Sequence, residues 1–279
     1  MPGTLYVVAT PIGNLEDITF RAVRILREVD LVAAEDTRRT AVLLRHHHVE
    51  TPLTSFHDHN ERQKLPPLVE RLRSGASIAL VSDAGTPAIS DPGYRLVRAC
   101  LDASIRVSPI PGPSALISAL VVSGLPTQAF TFVGYPPARS NARKQWLSAL
   151  KTKTETIIFF EAPHRIRRVL SDALIIFGDR PICVARELTK VYETLIAGPI
   201  SEVVERLRDP RGELTVVVSG SHTGSVGLDG LPDSEAMLLE IGHMTEYCGL
   251  SRRQAARRVG QKYGLSPNAV YSRTEKSRK

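Results

Sequence analysis

A chain of 279 residues, 42% hydrophobic and 23% charged, carries enough apolar material for two packed cores and a small appendage without covalent or metal staples. Its three cysteines, Cys100, Cys183 and Cys248, are far apart and form no CxxC pair, which excludes a disulfide framework and a thiolate zinc site and points to a reducing cytoplasm. The formal net charge of +7 sits at one end: from Ser251 onward nine basic residues face the single acid Glu275, so the rest of the chain is close to neutral. Such a distribution suits contact with a polyanion through the tail, although a solvated basic tail is the plainer alternative. The opening MPGTLYVVAT has no basic stretch ahead of its apolar run, and that run is strand-sized, so neither a signal peptide nor a membrane anchor is expected.

From residue 5 to about residue 120, short β-branched runs alternate with amphipathic segments. LYVVAT (5–10), LVAAE (31–35), SIALVS (77–82) and IRVSPI (105–110) read as strands buried on both faces. Between them, residues 18–29, 61–75, 91–103 and 113–124 read as helices. This alternation predicts βαβ units and a mostly parallel sheet, with a ligand at the carboxyl ends of the strands. A second α/β block follows with strands at 130–135, 156–162, 182–189, 193–198 and 212–220, and helices near 140–150, 163–177 and 199–208. The hairpin-like spacing of ICVARELT and ETLIAG makes this second sheet mixed. SHTGSVGLDGLPDS (221–234) is a polar, glycine-rich linker. Beyond it, Ser251 and Gln254 have capping-box spacing and Ser266-Pro267 marks another helix start. The expected organisation is an α/β domain over 1–120, a second over 121–222, a linker over 223–234 and a basic helix-turn-helix-like module over 235–279, two helices joined at Gly264-Leu265.

Three of the strand ends run into loops rich in glycine and proline: TPIGN (10–14), SDAGTPAISDPG (82–93) and PIPGPSA (109–115). Proline fixes φ and glycine permits positive φ, so such loops hold a defined shape and bring backbone groups close to a ligand. Taken singly each is a tight strand-to-helix turn; three on one sheet edge make a pocket. GxGxxG after the first strand and GxxxxGK[ST] are both absent, which sets dinucleotide and nucleoside triphosphate binding aside. Five histidines lie between residues 46 and 59, but no carboxylate-histidine spacing recurs among them, and no metal site is expected. Tyr6, Tyr94, Phe132, Tyr135 and Trp146 are spread singly through periodic segments and read as packing residues.

The motifs TPIGN, AAEDTR (33–38), HDHNE (57–61), LVSDAGTP (80–87), SDPG (90–93) and PGPSA (111–115) are followed by FFEAPHR (159–165), ARELTK (185–190) and GELTVVV (212–218). In this order they resemble the signature series of the bacterial 16S rRNA cytidine 2′-O-ribose methyltransferases, a branch of the tetrapyrrole methylases. The resemblance extends over roughly residues 4–220, and SRRQAARRVGQKYGLSPNAVY (251–271) is similar to that family's small C-terminal helical domain. It implies a tetrapyrrole-methylase-like two-domain α/β fold, a homodimer, S-adenosylmethionine held in the cleft between domains, and 16S rRNA or the assembled small subunit as partner. Carried over by motif, the donor loops are Thr10, Pro11 and Gly13, then Ser82, Asp83, Ala84, Gly85 and Thr86, then Pro111, Gly112, Ser114 and Ala115, with Phe160 and Glu161 closing from the second domain. The run His46-His47-His48 and the pair Pro66-Pro67 depart from the family pattern.

A ribose hydroxyl is a poor nucleophile and must be aligned and deprotonated. Polar groups for this task cluster in AAEDTR and HDHNE. Asp36, His57 and Glu61 are the candidate proton acceptors; Glu35, Arg38, Asp58 and His59 are candidate substrate contacts, with Arg186, Glu187 and Lys190 in the second domain. A plain helix-capping role for Asp36 and for His57 to Asn60 is the alternative. In the terminal module Ala255 and Ala256 suit close helix packing, while Arg252, Arg253, Arg257 and Arg258 form a face for an RNA backbone; a helical hairpin packing on the body is the plainer reading. A small-molecule methylase of the same fold and a non-enzymatic nucleic-acid-binding regulator are the competing functions. The first leaves the basic tail unused, and the second leaves the motif-dense α/β body unused.

Overall fold

The computed structural model describes residues 2–207, 211–221, 234–246 and 250–275; most of the expected linker, Cys248 and the last basic residues, Lys276, Arg278 and Lys279, lie outside them. Five strands, β1 (Thr4–Val8), β2 (Leu31–Ala34), β3 (Leu53–Ser55), β4 (Ile78–Val81) and β5 (Arg106–Ile110), form one sheet in the order β3-β2-β4-β1-β5. Every pairing in it is parallel. Helices α1 (Phe20–Glu28), α2 (Thr37–His46), α3 (Glu61–Arg73) and α4 (Tyr94–Asp102) alternate with the strands. All residues of β2 and β4 are buried, because side chains of one parity pack around Leu72, Phe56 and Leu96 and those of the other around Leu26 and Leu44. A parallel sheet covered on both faces requires such continuous apolar runs.

Strand β3 had no counterpart among the predicted strands. It is a three-residue, half-buried edge strand, too short to display a period of two. Helix α3 continues through Pro66 and Pro67. Both prolines are exposed, as are Arg62 and Gln63 four residues earlier, so the carbonyls they deprive of partners can turn to water.

The second sheet contains β6 (Phe130–Phe132), β7 (Thr156–Glu161), β8 (Pro181–Arg186), β9 (Thr194–Pro199) and β10 (Leu214–Val218) in the order β6-β7-β10-β8-β9. It is mixed: β6 and β7 are parallel and the other pairs antiparallel, including the hairpin of β8 and β9. Helices α6 (Ser140–Leu150), α7 (Pro163–Phe177) and α8 (Ile200–Arg206) build the larger core on one face. The opposite face is covered by α5 (Ala115–Val122), whose Ala119 and Leu120 pack on Ile158, Cys183, Ala185 and Val217. The helix expected to close the first domain therefore completes the second, while Ile117, Val121 and Val122 on its outer side stay exposed.

The terminal module has three helices where two were expected: α9 (Ser234–Glu246), α10 (Arg252–Tyr263) and α11 (Pro267–Glu275). The capping box of Ser251 and Gln254 forms, and Gly264 ends α10 in the left-handed conformation. Ala255, Ala256 and Val259 of α10 meet Met237 and Ile241 of α9 and Val270 of α11. Two helices alone could not bury that stripe, and α9 supplies the missing wall. Glu240 of α9 receives Lys262 Nζ at 2.6 Å and the Tyr263 hydroxyl at 2.9 Å.

One buried ion pair joins α6 to α7: Arg143 places Nε at 2.8 Å and Nη2 at 2.7 Å from Asp172 Oδ2, and both residues are buried. Removing one partner strands the other charge, whereas an apolar pair removes both penalties. Asp172→Ala should cost about 3–5 kcal/mol in urea unfolding, and the Arg143→Met, Asp172→Leu double variant should recover most of it.

Candidate active site

Strands β4, β1 and β5 are neighbours in the first sheet, so the three glycine- and proline-rich loops that follow them emerge side by side. They are tied to one another. Thr10 and Gly85 exchange backbone hydrogen bonds at 2.8 and 3.0 Å, and the Thr10 hydroxyl donates to the Ser82 carbonyl at 3.2 Å. The Thr86 hydroxyl donates to the Pro113 carbonyl at 3.3 Å. Gly85 has φ +75°, a conformation that costs a branched side chain on the order of 1–2 kcal/mol. The three loops thus form one rigid ledge.

A cavity of about 340 Å³ lies between this ledge and the second sheet. From the predicted donor loops, Asp83, Ala84, Thr86, Ser114 and Ala115 line it, joined by Phe160 and Glu161 from the end of β7 and Glu35 from the end of β2. Thr10, Pro11, Gly13, Ser82, Gly85, Pro111 and Gly112 are not at its wall. Thr10, Ser82 and Gly85 shape the wall through the bonds above, and Ile12 is the TPIGN residue that reaches it. Gly13 is in contact with the second lobe: a Cβ there would lie 2.4 Å from Lys190 Cγ. Lys190 in turn bridges Glu187 Oε1 at 2.9 Å and Glu213 Oε2 at 3.0 Å, and Glu213 is part of the wall.

The first-lobe wall is acidic. Asp83 Oδ1 accepts the Asp36 N–H at 2.9 Å and its Oδ2 faces Arg39 Nη1 at 3.4 Å. Glu35 Oε2 accepts the Asp83 N–H at 3.3 Å; burial pushes the Glu35 carboxyl up, with the Asp83 and Asp58 charges adding to the effect against that hydrogen bond. Asp91 also lines the cavity, and burial, with the Glu35, Asp83 and Asp58 charges, pushes its carboxyl up to about 7. Across the cleft Glu161 is 2% exposed. Its Oε1 accepts the Ala162 N–H at 2.7 Å and faces Arg165 Nε at 3.3 Å, while Oε2 has no partner in the protein. Burial raises the Glu161 carboxyl as well.

The two predicted acceptor clusters fall outside this wall except for Glu35. Asp36 caps α2: its Oδ1 accepts Arg38 N–H at 2.9 Å and Nε at 3.0 Å, and its Oδ2 meets Arg38 Nη2 at 2.6 Å. Those Arg38 hydrogen bonds hold the Asp36 carboxyl well below the usual range. Asn60 is the N-cap residue of α3, but its side chain makes no capping bond. The Asn60 side chain turns back, accepting the His57 N–H at 2.9 Å and donating to Ser55 Oγ at 3.0 Å. Glu61 is buried against Arg95 Nε at 3.6 Å. Asp58 and His59 are exposed, and His57 and Arg186 are half-buried.

Sequence reasoning singled out neither Ser90 and Asp91 nor Gly212 to Thr215, all of which line the cavity. The signal was present, since SDPG and GELTVVV carry them. Tyr135, read as a packing residue, lines the cavity and is exposed, its ring 5.6 Å from that of Phe160.

Asp91 gives the site a pH signature. A carboxyl whose pKa rises from 3.8 unfolded to about 7 folded holds its proton better in the folded state, so stability falls as pH climbs through that window and levels above it. Asp91→Asn should match the wild type near pH 4 and melt progressively higher than it up to about pH 7.5, as differential scanning calorimetry without ligand would record. A pH-independent difference between the two proteins would refute the assignment.

Residues 4–204 match the family described as Tetrapyrrole (Corrin/Porphyrin) Methylases. The chain is 44% identical over 274 residues to ribosomal RNA small subunit methyltransferase I of Halalkalibacterium halodurans, covering 97% of this chain and 94% of that relative. It is 46% identical over 272 residues to the Vibrio cholerae protein of the same name, covering 96% and 92%. Among solved structures, uroporphyrin-III C-methyltransferase from Thermus thermophilus complexed with S-adenyl homocysteine has a TM-score of 0.56 at 18% identity, covering 78% of this chain and 97% of that one. This likeness is one of fold. The chain is a methyltransferase and belongs to the tetrapyrrole methylase family, in the group of the ribosomal RNA small subunit methyltransferases I.

Proposed function

We propose that this methyltransferase transfers the methyl group of S-adenosylmethionine to the ribose 2′-hydroxyl of a cytidine in 16S rRNA, in the decoding region of the small subunit. The observation that carries the reading is the near full-length identity with relatives named for small-subunit ribosomal RNA. The cavity supports the donor. S-adenosylmethionine is a sulfonium with an ammonium tail, and a wall bearing Glu35, Asp83, Asp91 and Glu161 against the single lining cation Arg39 favours a positively charged guest. The free Glu161 Oε2 is an acceptor that costs about 1–3 kcal/mol when buried without a donor, and an N–H of the ligand would satisfy it. Ala84 and Ala115 leave room, and the size lies in the usual range for small-molecule sites.

In this reading the loops at 10–14, 82–86 and 111–115 hold the donor, with Phe160 and Glu161 closing over it. The acceptor enters from the side of Arg38, Asp58 and His59, which are exposed next to the acidic wall. Arg38 has 89% of its side chain in solvent and suits a phosphate. Arg186 and Lys190 bound the acceptor side from the second lobe. Rate comes from aligning the hydroxyl with the methyl carbon, worth on the order of 7–11 kcal/mol in well-oriented systems. Arg252, Arg253, Arg257 and Arg258 are exposed on α10 and supply sequence-independent backbone contacts. A second copy of the chain completes the proposed assembly, which works in the cytoplasm.

Incubating the protein and labelled S-adenosylmethionine with small ribosomal subunits or naked 16S rRNA should place one ribose methyl on a decoding-region cytidine; label on a base, or none, would sink the reading. Replacing the four α10 arginines with alanine should leave donor affinity by calorimetry unchanged and flatten the salt dependence of RNA binding by up to ~3 in log–log slope. An unchanged slope would remove α10 from the interface.

A further inference from the structure

Methyl transfer to a hydroxyl releases a proton, and the groups around the cavity differ in their freedom to take it. Asp36 has both oxygens on Arg38. Asp83 is divided between the Asp36 N–H and Arg39, and Glu61 is paired with Arg95. The His57 ring has Nε2 on Asn60 at 3.1 Å and Nδ1 buried without a partner. Asp91 has no cationic partner among the described residues. The groups that face it are the carboxylates of Glu35, Asp83 and Asp58 from the ends of β2, β4 and β3, the Tyr135 hydroxyl from beyond β6, and the Ser82 hydroxyl, its one hydrogen-bond neighbour.

The backbone around Asp91 is shaped to present it. Ala88 and Ser90 both adopt the left-handed region, at φ 69° and 62°. Neither is glycine, and a left-handed conformation at such residues is a strain that concentrates at working sites. Ile89, Ser90 and Asp91 all line the cavity, in the stretch of chain that continues directly from the loop at 82–87.

We propose that Asp91 is the general base of the reaction, accepting the proton of the acceptor hydroxyl as the methyl group is transferred; this rests on the ribose-methylation reading above. The ribose oxygen forms its bond to the methyl carbon while the carbon–sulfur bond breaks with its electron pair going to sulfur. The O–H pair stays on the oxygen, and the proton passes to an Asp91 oxygen and then to water at the cleft mouth. A base whose carboxyl lies at about 7 is matched to neutral operating conditions. A bound sulfonium favours the carboxylate form, so the acid limb of kcat should lie at lower pH than that of kcat/KM.

The test uses the full chain, the small ribosomal subunit or rRNA that it methylates, and S-adenosylmethionine. Wild-type kcat/KM should rise with unit slope up to about pH 7 and level off above it. Asp91→Asn should lower single-turnover methylation by about 10²–10⁴-fold, lose the acid limb, and keep donor affinity by calorimetry within threefold at about pH 5.5, where the wild-type carboxyl is protonated as well. Formate should partly restore Asp91→Ala. Carbon-13 NMR of the donor-free wild type should show an aspartate carboxyl titrating near 7 that is missing from Asp91→Asn; if neither variant folds, its absence from the wild type refutes the proposal. A rate loss under tenfold, a surviving acid limb, or donor affinity falling in step with rate each overturns the assignment of Asp91 while leaving ribose methylation standing. A wild type that methylates no ribose overturns both.

Discussion

Helix α5 leaves the first sheet directly after the loop at 111–115 and buries Ala119 and Leu120 on the second sheet, so a single hydrophobic contact sets where one lobe stands relative to the other. Its N-terminal residues Ser114 and Ala115 line the cavity while its middle forms part of the other lobe's core. The ledge of loops is thereby held facing Phe160 and Glu161 across the cavity. Burial of a few apolar side chains is non-directional, but here it acts on a helix whose start is already fixed by the bond between Thr86 and Pro113, and the result is a positioned cleft. Lys190 lying on Gly13 is a second tie between the lobes, made by a flexible side chain that is itself held by Glu187 and Glu213.

The electrostatics of the cleft follow from which carboxylates find cations. Asp36, Asp83 and Glu61 each have an arginine, from Arg38, Arg39 and Arg95 respectively. Glu35 has no ion pair among the described residues and feels Arg39 only at longer range, Asp91 has no cationic partner among them, and burial with repulsion from neighbouring acids raises both. Carboxylates of the same chemical type are thus separated into those occupied by an arginine and those whose proton affinity is raised. In the proposed reading a cationic donor between these acids relieves their repulsion, which couples binding to the ionisation of the wall.

The terminal module obeys a different logic. The four arginines of α10 sit on its outer face with Ala255, Ala256 and Val259 on the inner one, an arrangement in which packing and charge occupy opposite sides of the same helix. Small inner residues let three short helices approach closely, and the basic face is left exposed.

Periodicity and turn chemistry are local properties, and they determined most of the element types: the four apolar runs of the first sheet, the hairpin that makes the second sheet mixed, the capping box at Ser251, and the three rigid loops. Ordered motifs likewise determined the family. Strand β3 was not legible because three half-buried residues carry no period. The partner of α5 was not legible either, since an apolar helix does not encode which sheet it will cover. Helix α9 became necessary only when the α10 stripe had to be buried from two sides. Within the site, the sequence located Asp83, Ala84, Thr86, Ser114, Ala115, Phe160 and Glu161, because each lies at a strand end carrying a motif. Tertiary structure decided that Asp36 is engaged by Arg38, that Glu61 is held by Arg95, and that Asp91 faces other acids without a cation. Freedom of a charged group depends on what packs beside it across the fold, and residue order alone does not state that.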